Sequence, residues 1–427
     1  MNFRGIIFII PFLGYSQNLN VSEIVHKGNT LTKDFVIKRE IQHAIGVPLD
    51  SSIAQEDKNR LINLGIFADV EWRAIPLEDK SIILEYKIIE NDNFFGGRFL
   101  GAGAPVYDEK TGWSLTGGGL LKNFRGRNEQ IALGFSTGGF STIAFAYSNP
   151  WISGDHISFN SDIVKNKYDH PFLDYNIEIK SFEINVGRYF GYQRKTSLGF
   201  ELEEFHFIND TSFSQYQYIA PQGSFAYDTR DLYDNPRKGV LIREMFFSRF
   251  DINGKIEKNI TWIQSFSLYR QLNKPQNDKP LILAWGVTSQ MNIGIKDQRF
   301  ISAMGSGNTV RGFTYPNRLV FNSSNQGHRF GFNNIHTSLE IRKIIIPRKV
   351  IADRYEFGAT VAAFIDYGSA TSDKFTKLFN SEGIGSTGFS FQFKGPFPGI
   401  IRIDYGWGFY KNNLIENTMH FEIGNKI

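Results

Sequence analysis

The chain has 427 residues, 41% of them hydrophobic, and its mean hydropathy is −0.27. The 47 basic and 43 acidic residues leave a formal charge of +4, which is too even a balance for a nucleic-acid surface. The absence of Cys excludes disulfides, thiolate nucleophiles and thiolate metal sites. The 15% of aromatic residues and the 41 glycines favour strands and turns over long helices. No stretch reaches the roughly 20 apolar residues of a membrane-spanning helix.

The first 16 residues have the pattern of a signal peptide. Arg4 precedes the apolar stretch Gly5–Leu13, and the small residues Gly14 and Ser16 stand just before Gln17. An apolar stretch of about nine residues is too short to span a bilayer. The pattern predicts export and cleavage after residue 16, and the alternative is a frayed N-terminus.

Residues 17–92 predict a small α+β domain of the order βααββ. The first strand covers Leu19–His26, and a first helix runs from an N-cap at Thr32 to Gly46. A second helix begins near Ser51, and alternating apolar residues then predict two strands, the latter over Ile82–Ile88.

Three segments of this domain resemble the POTRA domain, the periplasmic module of BamA-like outer-membrane assembly factors. They are Lys27-Gly28-Asn29-Thr30, Ile37–Ile41 and Arg60–Val70. Each segment is weak by itself, and the resemblance depends on their order and spacing. It implies that the edge of the POTRA sheet receives strands of client polypeptides by β-augmentation.

Residues 93–427 predict a sixteen-stranded antiparallel transmembrane β-barrel. Apolar and polar residues alternate in about sixteen segments, at roughly 21 residues for each strand and connection. One example is Phe389, Phe391 and Phe393 on one face against Ser390 and Gln392 on the other. A soluble β-sandwich would also alternate. The export signal, the aromatic residues near strand ends and the even strand count favour the barrel, which closes without edges.

Several motifs in the array resemble the surface-antigen barrel that follows POTRA domains in this family. They are Asn123–Glu129, Tyr147–Trp151, Tyr227–Asp231, Val310–Phe313 and Phe364–Gly368. The tetrapeptide Val310-Arg311-Gly312-Phe313, here called the latch, is the family's hallmark in the sixth extracellular loop.

The strand count tests this placement independently. Arg311 falls between the predicted eleventh strand, Leu281–Met291, and the predicted twelfth, Ile335–Ile344. If the first strand rises from the periplasm, this connection is the sixth outside. By the same count Asp228–Gly239 is a periplasmic turn between the eighth and ninth strands.

Arg311 is predicted to anchor its long, glycine-rich loop inside the barrel. A guanidinium presents a rigid fork of donors that matches a carboxylate. Alternation directs Asp366, Asp404 and Glu340 inward, and we expect Asp366 to be the partner, ahead of Asp404 and then Glu340. The alternative is that Arg311 is a solvated loop residue.

The two ends of the array are predicted to meet at a lateral seam, which by resemblance parts to template client strands. Glycines weaken the first strand, and the last strand, Met419–Ile427, carries the family's C-terminal signal although it ends in Ile427 where an aromatic residue is usual. The predicted seam residues are Gly96, Gly97, Gly101, Gly103, Phe421, Ile423, Gly424 and Ile427. Alternatively, the glycines fill interior positions of the barrel.

No motif indicates an enzyme, a cofactor or a metal site. Gly117–Gly119 lacks the Lys-Ser or Lys-Thr of a nucleotide loop. Gly134–Gly138 matches a nucleophile elbow, but a predicted strand follows it where the elbow requires a helix. Eight scattered His residues show no ligand spacing.

The sequence therefore predicts an insertase or translocase in the outer membrane of a Gram-negative bacterium, with the POTRA domain in the periplasm. Its expected partners are the lipid bilayer and client polypeptides, with periplasmic or lipoprotein accessory subunits as further candidates and no nucleic acid. The alternative is a passive channel or receptor whose POTRA domain only docks a partner. A general assembly role and export of one dedicated client both stay open.

Overall fold

The structure, a computed structural model, describes most of the chain after the predicted signal peptide. The described ranges are 19–91, 99–108, 110–209, 211–253, 259–274, 277–294, 300–323, 328–351, 355–380, 382–395 and 400–427. The signal peptide, Gly96 and Gly97 lie outside them, so the predictions made for these residues stay predictions.

The N-terminal domain has the predicted βααββ order. Its elements are β1 (Val21–Lys27), α1 (Asp34–Lys38), α2 (Ser51–Asn63), β2 (Phe67–Pro76) and β3 (Ile82–Glu90). The sheet order is β1-β3-β2, with β1 parallel and β2 antiparallel to the central β3. The helices cover one face of the sheet, where Val36, Leu61 and Tyr86 are fully buried.

The first helix is much shorter than predicted. α1 ends at Lys38, and its N-cap is Lys33 rather than Thr32. The hydroxyl of Thr32 instead donates to Oε1 of Glu90 at 2.6 Å, and the backbone N–H groups of residues 30–32 donate to the same carboxylate. This long-range bonding keeps residues 30–32 extended and moves the start of the helix by one residue. Beyond the end of α1, the carboxylate of Asp57 accepts from the backbone N–H groups of Gln42 and His43 at 2.8 and 3.1 Å, which holds that segment out of a helix. α2 begins as predicted, because the side chain of Asp50 caps it.

Among the described residues after this domain, sixteen strands form one antiparallel sheet. The strands are β4 (Phe99–Asp108), β5 (Gly112–Phe124), β6 (Glu129–Gly138), β7 (Phe140–Ser153), β8 (Ile157–Asp169), β9 (Asn176–Phe190), β10 (Arg194–Ile208), β11 (Phe213–Asp228), β12 (Gly239–Asp251), β13 (Asn259–Gln271), β14 (Leu281–Ile293), β17 (Asn333–Ile351), β18 (Tyr355–Thr371), β19 (Ile384–Lys394), β20 (Ile400–Tyr410) and β21 (Asn413–Ile423). β4 and β21 stand at the two ends of the order, and none of the described pairings joins them. Closure into a barrel stays a prediction.

Exposed and buried side chains alternate along the strands, with large apolar side chains on the outer face. The inner face is mostly polar, apart from an apolar cluster of Ile177, Phe205, Phe207 and Tyr218. On β18 the side chains of Ile365 and Tyr367 are 61% and 46% exposed, whereas Asp366 between them is 1% exposed. Alternation of this kind places every second residue on the same face. Within the described ranges no helix has both the length and the apolar character needed to cross a bilayer.

The described parts of the connection between β14 and β17, residues 300–323 and 328–332, are here called the long loop, and its latch region lies against the inner face. β14 and β17 are the eleventh and twelfth strands of the sheet, as the sequence predicts. The long loop contains the short strands β15 (Ser302–Ala303) and β16 (Phe330–Gly331) and the one-turn helix α3 (Arg318–Phe321). Val310 and Phe313 of the latch pack with Met304 of the loop and with Ala370 and Ile384 of the sheet.

The last strand is shorter than predicted, and this corrects two of the predicted seam residues. β21 ends at Ile423, and Gly424 takes a φ of +105°. Its N–H donates to the carbonyl of Ile400, and the chain then turns onto the inner face. Gly424 and Ile427 therefore lie outside the terminal strand. Phe421 and Ile423 stay on its outer face, 57% and 76% exposed.

Candidate functional site

The guanidinium of Arg311 lies at the centre of a buried cluster of charges on the inner face. Its Nε and Nη2 donate to the two oxygens of Asp366, both at 2.8 Å, and its backbone N–H donates to Asp366 at 3.0 Å. Nη1 lies 2.7 Å from Glu340 and 3.6 Å from Asp404, as ion-pair contacts without hydrogen-bond geometry. The structure thus brings Arg311 together with all three predicted carboxylates, and Glu340 is nearer than Asp404.

Each of the three carboxylates has a second cation that the sequence analysis did not identify. Nε of Arg342 donates to Glu340 and Nε of Arg402 donates to Asp404, both at 2.7 Å. Lys426 Nζ donates to Asp366 at 2.5 Å. Side-chain exposure across the cluster is 2% or less, and its four cations against three carboxylates give a net charge of +1.

These additional cations could have been found from the alternation. Arg342 stands two residues after Glu340, and Arg402 stands two residues before Asp404, so each pair shares a face of its strand. Alternation along the predicted last strand also places Lys426 on the face of His420 and Glu422, but it gives no sign that Lys426 reaches Asp366 on another strand.

Buried charges are stable only when they are paired and hydrogen-bonded. Here Arg311 also donates Nη2 to the hydroxyl of Ser338 at 2.9 Å, and its guanidinium lies 3.5 Å from the ring centre of Phe364. The cluster therefore holds the long loop by bonds that reach several strands, and removal of any one charge leaves its partners buried.

Glycines of the sheet make room for the latch. A Cβ on Gly368 would lie 2.6 Å from Val310, and one on Gly408 would lie 2.6 Å from the ring of Phe313. Gly312 itself has a φ of +86°, and a Cβ there would lie 2.9 Å from backbone carbons of Gly406 and Trp407. The latch thus contacts the backbone of β18 and β20 at distances that a side chain would prevent.

The long loop is also bonded to the inner face of the last strand. Glu416 accepts from the backbone N–H of Thr314 at 3.1 Å, and His420 Nε2 accepts from that of Gly312 at 3.1 Å. Glu422 accepts from the side chain of Asn308 at 3.1 Å. Because Glu416, His420 and Glu422 all lie on the inner face of β21, the long loop supports this strand from inside the sheet.

At the opposite end of the sheet, the two described glycines of the predicted seam lie on the outer face. Gly101 and Gly103 on β4 pair with Gly119 and Gly117 on β5. Those residues pair in turn with Leu133 and Phe135, which are 60% and 57% exposed. Since directly paired residues share a face, the alternative of interior positions is wrong for these two glycines.

The N-terminal domain contacts the end of the sheet that carries the turns 125–128, 191–193 and 229–238. Asn123 donates to the hydroxyl of Thr32 at 2.8 Å, and the carbonyl of Gly126 accepts from Lys33 at 2.9 Å. Asn63 exchanges two hydrogen bonds with the turn 229–238. Arg348 of β17 donates to the carbonyl of Ala68 at 2.9 Å. The domain is thus bonded to positions spread along the sheet.

An aromatic stack fixes a further contact of the domain. The guanidinium of Arg39 lies over Trp151, and the ring of His156 stacks between Trp151 and Tyr189, with 3.9 Å between ring centres on each side. Glu40 is buried beside this stack. That burial raises the pKa of Glu40 to about 7, although Arg39 and Arg60 act in the opposite direction.

The described residues include no group of three or more His, Cys, Asp or Glu side chains arranged to hold a metal ion. Gly134–Gly138 lies at the end of β6, and the strand β7 follows it, so the helix that a nucleophile elbow requires is absent there.

Comparisons with known proteins match both parts of the chain. Residues 19–91 match the POTRA family, described as a surface antigen variable number repeat, and residues 123–427 match the Omp85 superfamily domain. The outer membrane protein assembly factor BamA of Neisseria meningitidis is 26% identical over 154 residues. That match spans 36% of this chain and 19% of the length of the relative.

Two solved structures are similar in fold. BamA from Haemophilus ducreyi lacking POTRA domains 1–3 has a TM-score of 0.55 at 15% identity, over 95% of this chain and 83% of that one. CdiB from Escherichia coli has a TM-score of 0.52 at 11% identity, over 97% of this chain and 92% of that one.

Proposed function

The chain belongs to the Omp85 superfamily, and on that premise we propose that it is an outer-membrane β-barrel that inserts or exports other polypeptides without covalent catalysis. The relative from Neisseria meningitidis is an outer membrane protein assembly factor, which supports a client polypeptide as the substrate. The proposed domains are a signal peptide (1–16), a periplasmic POTRA domain (17–92) and the barrel (93–427).

The alternation of faces supports a barrel in a membrane. The outer face exposes large apolar side chains, for example Leu198 at 70% and Ile143 at 69%, which in water would form a costly patch. In a bilayer the same face is solvated, and closure removes the two free edges. The protein should fractionate with the outer membrane and migrate faster on gels when unheated. Recovery as a soluble periplasmic monomer would contradict the proposal.

The observation that carries the proposed mechanism is the unequal support of the two terminal strands. β21 is bonded from inside by the long loop, whereas β4 carries glycines on its outer face opposite those of β5. Glycine contributes no side-chain packing to a strand pair. We therefore assign the lateral seam to β4 and β21, where a client strand pairs with an unsatisfied edge.

The POTRA domain would deliver clients to this seam. Its sheet order leaves β1 and β2 as edges. The beginning of the β1 edge is already bonded to residues 46–49, as in Val21 N–H to Val47 O at 2.9 Å. An edge with unpaired N–H and C=O groups accepts an extended peptide as an added strand.

A disulfide across the seam tests the mechanism. The chain has no Cys, so Cys at Gly103 can be combined in turn with Cys at Met419, Phe421 or Ile423, which are all on the outer face. We expect one pair to form a disulfide that stops client assembly and is reversed by reductant. The matched control is each single Cys variant. Full activity of the oxidised protein would favour the passive channel or receptor instead.

Depletion followed by proteomics of the outer membrane identifies the clients. Broad loss of barrel proteins indicates general assembly, and loss of one exported protein indicates a dedicated exporter. Loss of neither class would contradict the proposed function. Co-purification of periplasmic or lipoprotein subunits in the same preparation tests for accessory partners.

A further inference from the structure

The last four residues of the chain form a separate segment on the inner face. After Gly424 the segment leaves the sheet, and the side chain of Asn425 donates to the carbonyl of Asp234 at 2.5 Å. The side chain of Ile427 packs over Gly286 of β14, where a Cβ would lie 2.8 Å from Ile427 Cγ2. β14 is five places from β21 in the sheet order, so the segment extends well away from its own strand.

The contacts of this segment are those of a bound peptide. Lys426 Nζ donates to Asp366 at 2.5 Å and to the backbone carbonyl of Thr309 at 2.6 Å. The Lys426 side chain is 2% exposed. Each side chain of the segment thus meets a complementary partner. The Lys426 cation meets a carboxylate, the Asn425 amide meets a backbone carbonyl, and the aliphatic side chain of Ile427 meets the surface of a glycine.

The latch cluster is balanced in charge without this segment. Without Lys426 the cluster holds Arg311, Arg342 and Arg402 against Glu340, Asp366 and Asp404, which is neutral. Asp366 keeps its two-bond contact with Arg311. The latch is therefore complete without the tail, and Lys426 adds a fourth cation to it.

We propose that the inner face carries a peptide-binding site, formed by Asp366, Thr309, Asp234 and Gly286, which the chain's own residues 424–427 fill at rest. The site takes an extended segment with a lysine next to an aliphatic residue. When β21 moves at the seam, the tail leaves with it, and a client segment of the same chemistry occupies the vacated site. The client part rests on the proposed function, whereas the existence of the site does not.

A truncated chain that ends at Ile423 tests the site directly, since all strands are retained. Fluorescently labelled Gly-Asn-Lys-Ile is titrated into the truncated and the full-length protein in detergent, and binding is followed by anisotropy. The peptide should bind the truncated chain saturably and the full-length chain at least tenfold more weakly. Gly-Asn-Met-Ile is the matched control, and we expect it to lose roughly tenfold or more in affinity without the charge-assisted bond.

A second variant decides the question if the truncated chain does not fold. Full-length K426M keeps the backbone of the tail but lacks its cation, so Gly-Asn-Lys-Ile should displace the weakened tail and bind, while the wild-type chain should not. Equal binding of the lysine and methionine peptides, or no binding to K426M, would overturn the inference. Client depletion experiments do not enter this test, so failure of the site and failure of the proposed function remain distinguishable.

Discussion

Replacement of Arg311 by Ala should release the long loop from the sheet. Loss of a buried ion-pair partner costs about 3 to 5 kcal/mol when the remaining charge is left without compensation. Here Glu340, Asp366 and Asp404 keep Arg342, Lys426 and Arg402 as partners. We therefore expect R311A to lower the free energy of unfolding by about 3 kcal/mol, at the lower end of that range. R311K should recover only a minor part of the free energy of unfolding that R311A loses, because an ammonium cannot reproduce the two-bond contact with Asp366.

The assay is urea unfolding in lipid vesicles, combined with limited proteolysis of the long loop from outside. R249A is the matched control, since Arg249 makes a two-bond contact with buried Glu203 on the inner face, in strands away from the latch. R249A should reduce stability without exposing the long loop to protease, whereas R311A should do both.

A double-mutant cycle then identifies the partner. R311A combined with D366N should cost less than the sum of the two single variants by about 1 to 3 kcal/mol, because the residues are in contact. The reasoning is refuted if the effects of R311A and D366N add and the loop of R311A stays protected from protease. In that case the latch would not anchor the loop.

Three further changes test other parts of the structure. The pKa of Glu40 in the folded domain is about 7, against an ordinary 4.5, so the wild-type domain loses stability as pH rises through 7. In urea unfolding, E40Q should therefore be more stable than wild type by up to about 3 kcal/mol at pH 8, and equally stable below pH 4.5. G312A should expose the long loop to protease, since the positive φ alone costs about 1 to 2 kcal/mol and the new Cβ would also contact β20. Deletion of residues 19–92 should leave a heat-modifiable barrel that no longer matures its clients, and normal client maturation would contradict β-augmentation.

The latch shows which features of the site strand periodicity can predict. Alternation alone directs Glu340, Asp366 and Asp404 to one face, and the structure places all three within 3.6 Å of Arg311. The ranking of Asp404 ahead of Glu340 fails on distance, because periodicity fixes the face of a residue but not its height relative to a loop from elsewhere in the chain.

The sequence by itself determined the βααββ order, the sixteen strands, the faces of the strands and the position of the latch between the eleventh and twelfth strands. These features depend on local patterns, since a period of two or a cap is set by neighbouring residues. Only the tertiary structure decided that α1 stops at Lys38 and that the chain leaves the sheet after Ile423. After Lys38 the carboxylate of Asp57 accepts from the backbone N–H groups of Gln42 and His43, and after Ile423 the carboxylate of Asp366 accepts from Lys426. These bonds join segments that are distant in sequence, and they outweigh local propensity.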